Sequence, residues 1–176
     1  QPDCMVSGRL GNDQYDFCVM ADNDYPEKTL HAPWQSAASM FDETWGYRSW
    51  QARGNVEDKV REKTRSLINV VSRGGNYLLN IGPKGNGEVV DFEKEVLEQI
   101  GDWLSRYGYA VYQTEASPFQ EEFAWGEVTR KDNHLYLFLS GTYPKDGKIT
   151  LSMPGYILQK GDGKMATYLQ LSLIHI

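Results

Sequence analysis

Between Asn55 and Gly108 the sequence runs through a helical period, a short apolar run and a second helical period. That order confines the chain to few architectures. Apolar or small residues fall at Val56, Val60, Thr64, Leu67 and Val71, one face of a helix over 56–73. Asn55 stands where an N-cap belongs, Glu57 and Asp58 suit the first turn, and Gly74 suits the left-handed residue after the last. Residues 77–81 (Tyr-Leu-Leu-Asn-Ile) then read as a strand, with the near-continuous apolar character of parallel sheets buried on both faces. Residues 82–87 are a turn. They lack the Gly-Lys-Ser/Thr ending of a phosphate loop, and Glu88 opposes an anion, so a tight connection is expected. A second helix over 92–107 aligns Phe92, Val96, Ile100, Trp103 and Tyr107 before Gly108 stops it. This order defines an α/β unit, and functional loops after strand ends suit a (β/α)₈ barrel.

The flanks read differently. Residues 4–7 fit a short buried strand ending at Gly8 and Arg9. Residues 10–53 show little periodicity, yet carry Tyr15, Phe17, Tyr25, Trp34, Phe41 and Trp45 among others, too many rings for a disordered segment. A connection this long in a compact domain is usually functional. Aromatic rings beside carboxylates are also what a sugar-binding cleft requires, since a sugar offers C–H patches to stack and hydroxyls to hydrogen-bond. Beyond Ser117-Pro118 only short strands are expected, over 123–130, 134–140 and 148–153. Turns at 131–133 and 144–147 separate them. Leu135, Leu137 and Leu139 alternate with Tyr136, Phe138 and Ser140, which marks an antiparallel module. Residues 171–176 break the alternation and resemble a translated sequencing-adapter tail, so they are left out of the expected fold. The start at Gln1, inside what reads as mid-domain sequence, suggests a piece of a longer protein.

Composition narrows the partners. A net charge of −6 argues against nucleic acid or an anionic membrane surface, which demand clustered Lys and Arg. No apolar run approaches the roughly 20 residues of a membrane span. Cys4 and Cys18 have neither zinc nor redox spacing, and are expected as free core thiols. His31, His134 and His175 are scattered, so no metal site is expected.

Several segments together resemble the α-L-fucosidases of glycoside hydrolase family 29. They are Gln1-Pro2-Asp3 leading to Arg9, Asp16-Phe17 leading to Asp22-Asn23 and Pro26, Trp45-Gly46-Tyr47, the run from Val71 through Gly82-Pro83, and 100–104. The resemblance implies the C-terminal half of a (β/α)₈-like TIM barrel over 1–116. A partial antiparallel β-sandwich would follow over 117–170, with 171–176 a non-native tail. It implies a retaining exo-acting enzyme that removes terminal α-L-fucose from glycans with two carboxylates about 5–5.5 Å apart. The nucleophilic aspartate would lie upstream of this chain. No cofactor is needed for carboxylate chemistry. The resemblance also implies a fucosylated glycan as partner and a secreted or periplasmic location, or a lysosomal one in an animal. It leaves the oligomeric state open.

The resemblance assigns Asp22 as general acid/base, although Asp22-Asn23-Asp24 alone reads as a solvated turn cluster. A general acid works best in an apolar surround, which Tyr25 and nearby aromatic rings are expected to supply. Arg9 is placed beside the sugar ring, against the plainer reading of a strand-end salt bridge. Trp45 is placed on the fucose ring and its methyl group. Trp34 and Tyr47 carry the same aromatic reading with less support. Gln35 stands where some relatives have a glutamate after the tryptophan. It could hydrogen-bond a hydroxyl but cannot give up a proton, which leaves open a non-catalytic glycan-binding protein on the same scaffold. Asp42 and Glu43 rank below Asp22. Trp50 and Trp103 are expected in packing; Asn80 could reach the barrel mouth, with core support the plainer reading. Residues 107–112 lack the Asn-Gly-Glu seen in relatives.

Overall fold

The computed structural model describes residues 3–11, 14–30, 32–142, 145, 149, 151 and 170–176. Three parallel strands form the first sheet: β1 (Cys18–Val19), β2 (Trp34–Ser39) and β3 (Asn76–Asn80), in that order. A single parallel bridge from Ser7 to Phe17 extends it by one rung. Helices α1 (Val56–Ser72) and α2 (Asp91–Tyr107) follow β2 and β3. A second sheet holds β4 (Gly126–Lys131), β5 (His134–Leu139) and β6 (Gln170–His175). No helix among the described residues is long and apolar enough to cross a membrane.

The ends of α1 obey the sequence. Asn55 caps α1, its side chain accepting the Asp58 N–H at 3.1 Å. At the other end Gly75 N–H donates to Val70 O and Gly74 N–H to Val71 O, both at 3.0 Å. This is the Schellman arrangement, and it requires the left-handed φ of 82° at Gly74. Gly75 is needed for a different reason. A Cβ there would lie 2.4 Å from the ring of Trp34. The Trp34 ring is fully buried, and its Nε1–H donates to Arg73 O at 3.2 Å. The Gly-Gly pair therefore ends one helix and seats a core indole.

Met40, Phe41, Val96 and Ile100 form the core between sheet and helices, with Val56, Val60 and Phe92 against it. Strand β5 feeds two cores by simple alternation. Tyr136 and Phe138 join Ile68, Ala110 and Val111, whereas Leu135, Leu137 and Leu139 join Phe119, Trp125 and Val128. Trp103 packs on the first of these clusters, as expected. The hairpin β4–β5 turns through Asp132, which takes φ 52°.

Several expectations need correction. Residues 4–6 are not a buried strand: Met5 is 67% exposed, and 8–10 wind into a 3₁₀ turn. One bridge at Ser7 is all the pairing that this segment gains. Residues 34–39 are not loop but the central strand. Strand β3 pairs in parallel as expected, but Leu78 is 50% exposed, because one face of β3 borders an open hollow. Cys4 is exposed and Cys18 half-buried, so the thiols are free but not core. Trp50 is 74% exposed, with the Arg48 guanidinium 5.0 Å over its ring in place of a packed core. Residues 170–175 pair in parallel with β5, and Ile174 is buried in the core beside Phe138, so these residues do not stand apart from the fold. The expected strand over 148–153 and turn over 144–147 fall largely outside the described residues, as do Gln1, Pro2 and His31.

A polar joint ties α1 to β4. Glu127 accepts from Ser72 Oγ at 3.1 Å and from Arg73 Nη1 at 3.3 Å, while Glu122 lies 3.5 Å from Arg73 Nη2. Burial pushes the Glu127 carboxyl above its ordinary pKa, outweighing the pull of Arg73 and Ser72, and the Glu122 charge adds to the rise. The folded chain thus holds this proton more tightly than the unfolded chain does. The resulting stabilisation is complete below the ordinary value of 4.5 and is lost as pH rises through the higher folded-state value. Glu127→Gln is expected to flatten that slope in urea-unfolding midpoints taken across the window. A slope identical to that of the unaltered chain would refute the raised value.

Candidate active site

Three of the expected site residues sit beyond the carboxyl end of a parallel strand or bridge. Arg9 follows Ser7, Asp22 follows β1, and Trp45 follows β2. These three line one hollow of about 400 Å³ together with Gln35 on β2, a volume suited to a small ligand. Its apolar wall comes from Phe17, Val19, Ala37 and Leu78.

The loop carrying Asp22 is pinned to β2. Asn23 takes a left-handed φ of 59°, its N–H donates to Ala37 O at 2.8 Å, and its Oδ1 accepts the Ser39 N–H at 2.8 Å. Met20 N–H donates to Gln35 O at 3.0 Å, and Ser36 Oγ donates to Asp24 O at 2.6 Å. Asp22 is therefore held from both sides. Its Oδ1 accepts a hydrogen bond from Arg9 Nη2, and both side chains are about half exposed. Arg9 sits in the 3₁₀ turn, whose cap is Ser7 Oγ accepting the Arg9 N–H.

Not all the expected residues gather here. Trp34 lies in the core on the other side of β2. Tyr47 is 40% exposed and outside the hollow's lining; its backbone lies against Gly82 instead. Tyr25 does not shelter Asp22, because its ring lies under the Arg73 guanidinium at 5.5 Å. Asp42 points away, 3.8 Å from Lys63 Nζ. Among the described residues, Asp22 is the one carboxylate lining the hollow, and no cluster of three metal-ligating side chains exists. The apolar wall was missed by sequence reasoning. Alternation along β2 and β3 would have found Ala37 and Leu78 once those strands were known.

A parallel α/β unit whose polar groups gather beyond its strand ends has the build of an α/β enzyme. Comparison with known proteins makes this specific. The family model for alpha-L-fucosidase matches residues 1–109, and the chain belongs to that family. Over 126 residues it is 35% identical to tissue alpha-L-fucosidase of Rattus norvegicus, covering 69% of this chain and 26% of the relative. Over 132 residues it is 35% identical to the Homo sapiens tissue enzyme, covering 73% and 28%. Among solved structures, the alpha-L-fucosidase of Vibrio sp. strain EJY3 superposes with a TM-score of 0.67 at 33% identity, covering 74% of this chain and 23% of that one. The Thermotoga maritima alpha-fucosidase in complex with fucose superposes at 0.61 with 29% identity, covering 74% and 30%. The chain thus spans between a quarter and a third of the length of the curated relatives it matches.

Proposed function

We propose that this chain supplies the proton donor and much of the sugar pocket of a retaining exo-α-L-fucosidase. The observation that carries this is the shared hollow of Arg9, Asp22, Gln35 and Trp45 in a chain of this family. In this reading residues 1–116 are the C-terminal half of a (β/α)₈-like barrel and 117–170 begin a β-sandwich. Arg9, Asp22 and Trp45 follow, in chain order, a parallel bridge and two successive parallel strands, which supports the barrel reading.

Asp22 gives its proton to the glycosidic oxygen as the bond to the leaving group breaks, and later takes one from the attacking water. The partner carboxylate attacks the anomeric carbon from about 5–5.5 Å away. It belongs to a segment upstream of this chain. Arg9 neutralises Asp22 when it is ionised and offers its remaining donors to a ring hydroxyl. Trp45 stacks on the C–H face, and the apolar wall receives the C6 methyl, worth roughly 0.8 kcal/mol when buried. The chemistry runs on carboxylates without a cofactor. Its substrates, fucosylated glycans, fit a secreted, periplasmic or lysosomal setting.

The full-length protein is expected to release the aryl group from an aryl α-L-fucoside. A folded protein that releases none would refute the activity. Gln35 inside the hollow favours one other reading, a glycan-binding protein without turnover. Saturable L-fucose binding with no aryl release would select it.

A further inference from the structure

We propose that Asn80 and Glu93 are positioning residues that hold Trp45 at the rim of the hollow. The proposal rests on the fucosidase reading for the identity of the ligand, and on geometry alone for the clamp. At the end of β3, Asn80 Nδ2 donates to Trp45 O at 2.7 Å. Two residues on, Gly82 runs hard against the same loop. A Cβ on Gly82 would lie 2.9 Å from Gly46 C and from Tyr47 N. The Gly82 backbone is therefore the surface on which the loop after Trp45 rests.

Glu93 fixes that surface. It lies in the first turn of α2, is 3% exposed, and its Oε2 accepts the Gly82 N–H at 2.9 Å. A glutamate three residues past the N-cap ordinarily reaches back to the N–H of its own cap. Glu93 instead reaches eleven residues up the chain. Burying a carboxylate costs several kcal/mol unless it is well paired, so packing alone would be better served by an apolar side chain. The carboxylate makes sense as an anchor for the β3–α2 connection.

The opposite side of the loop is tied to β2. Ser39 Oγ donates to Thr44 O at 2.7 Å, and Gly46 N–H donates to Thr44 Oγ1 at 3.1 Å. The backbone of residues 44–47 is thus gripped between β2 on one side and Asn80 and Gly82 on the other. Trp45 is 37% exposed, and its ring borders the hollow. A stacking ring held in place beforehand binds its ligand with less loss of freedom. Releasing it weakens ground-state and transition-state binding alike, which raises KM and spares kcat.

The test uses the full-length protein carrying 5-fluorotryptophan, with the Trp45 line assigned by its loss in Trp45→Phe. Asn80→Asp puts an acceptor against the Trp45 carbonyl. It should shift and narrow the Trp45 line alone, and raise KM for an aryl α-L-fucoside about fivefold, the weight of one net hydrogen bond. Asn80→Ser serves the same purpose if the aspartate variant does not fold. Glu93→Leu should move the same line, and Glu93→Gln, which keeps an acceptor for Gly82, should restore it. A Trp45 line unmoved by both losses, or all tryptophan lines moving together, overturns the clamp. If the unaltered protein turns over no fucoside while the Trp45 line still responds, the fucosidase reading fails and the clamp stands.

Discussion

Trp34→Ala is expected to destabilise the chain by about 3–5 kcal/mol, the range for losing a fully buried aromatic ring. The indole is wholly enclosed, fills the space left by Gly75 and donates to the Arg73 carbonyl. Truncation leaves a cavity and deprives the last turn of α1 of a donor. For a chain of this size the loss corresponds to a drop of roughly 10 °C in Tm. Thermal unfolding followed by far-UV circular dichroism measures it. Trp45→Ala is the contrast: that ring is 37% exposed and should cost less than about 1 kcal/mol. If instead Trp34→Ala leaves Tm unchanged and abolishes fucose binding, the indole belongs to the site and its placement in the core is wrong.

The two tryptophans also show what the sequence could carry. Both helices were legible because their apolar period, the Asn55 cap and the Gly74 stop are local signals, each agreeing with the others. The alternation along β5 was legible for the same reason, and the structure splits its residues between two cores as the period dictates. Strand β2 was not legible. Its Trp-Gln-Ser-Ala-Ala-Ser has no β-branched residue and no polar alternation. The two serines are tolerable in a buried strand only because the carbonyls of Asp24 and Thr44 accept from them. Those partners arrive from other segments, so no local pattern announces them.

Missing β2 also produced the misplacement of Trp34. Successive side chains on a strand point to opposite faces. Trp34 and Gln35 are neighbours on β2, so they cannot both face the hollow. Read as loop, the pair looked like two ligand contacts. Read as strand, one had to be core, and the larger apolar one is. Arg9, Asp22 and Trp45 were found by resemblance rather than by period, because what unites them is position after a strand end, and that becomes visible only when the strands are known.

The other large effect concerns Asp22. Asp22→Asn in the full-length protein is expected to lower kcat by about 10²–10⁴-fold, the usual contribution of a positioned general acid or base. Asparagine keeps the shape and can still accept from Arg9, so the anchoring of the loop by Asn23 should survive. What is lost is the proton. The size of the loss should therefore depend on the leaving group. A fucoside of an acidic phenol departs with little protonic help, so its glycosylation step should suffer least. A fucoside of an aliphatic alcohol needs the proton fully and should show the whole effect. Kinetics on such a series separate proton donation from simple binding, because a binding role would raise KM equally for all members. An effect below tenfold on the alkyl fucoside would remove Asp22 as the acid. The hollow would then have no proton donor among the described carboxylates that line it, and Arg9 with Asp22 would be left as an ion pair that shapes the pocket.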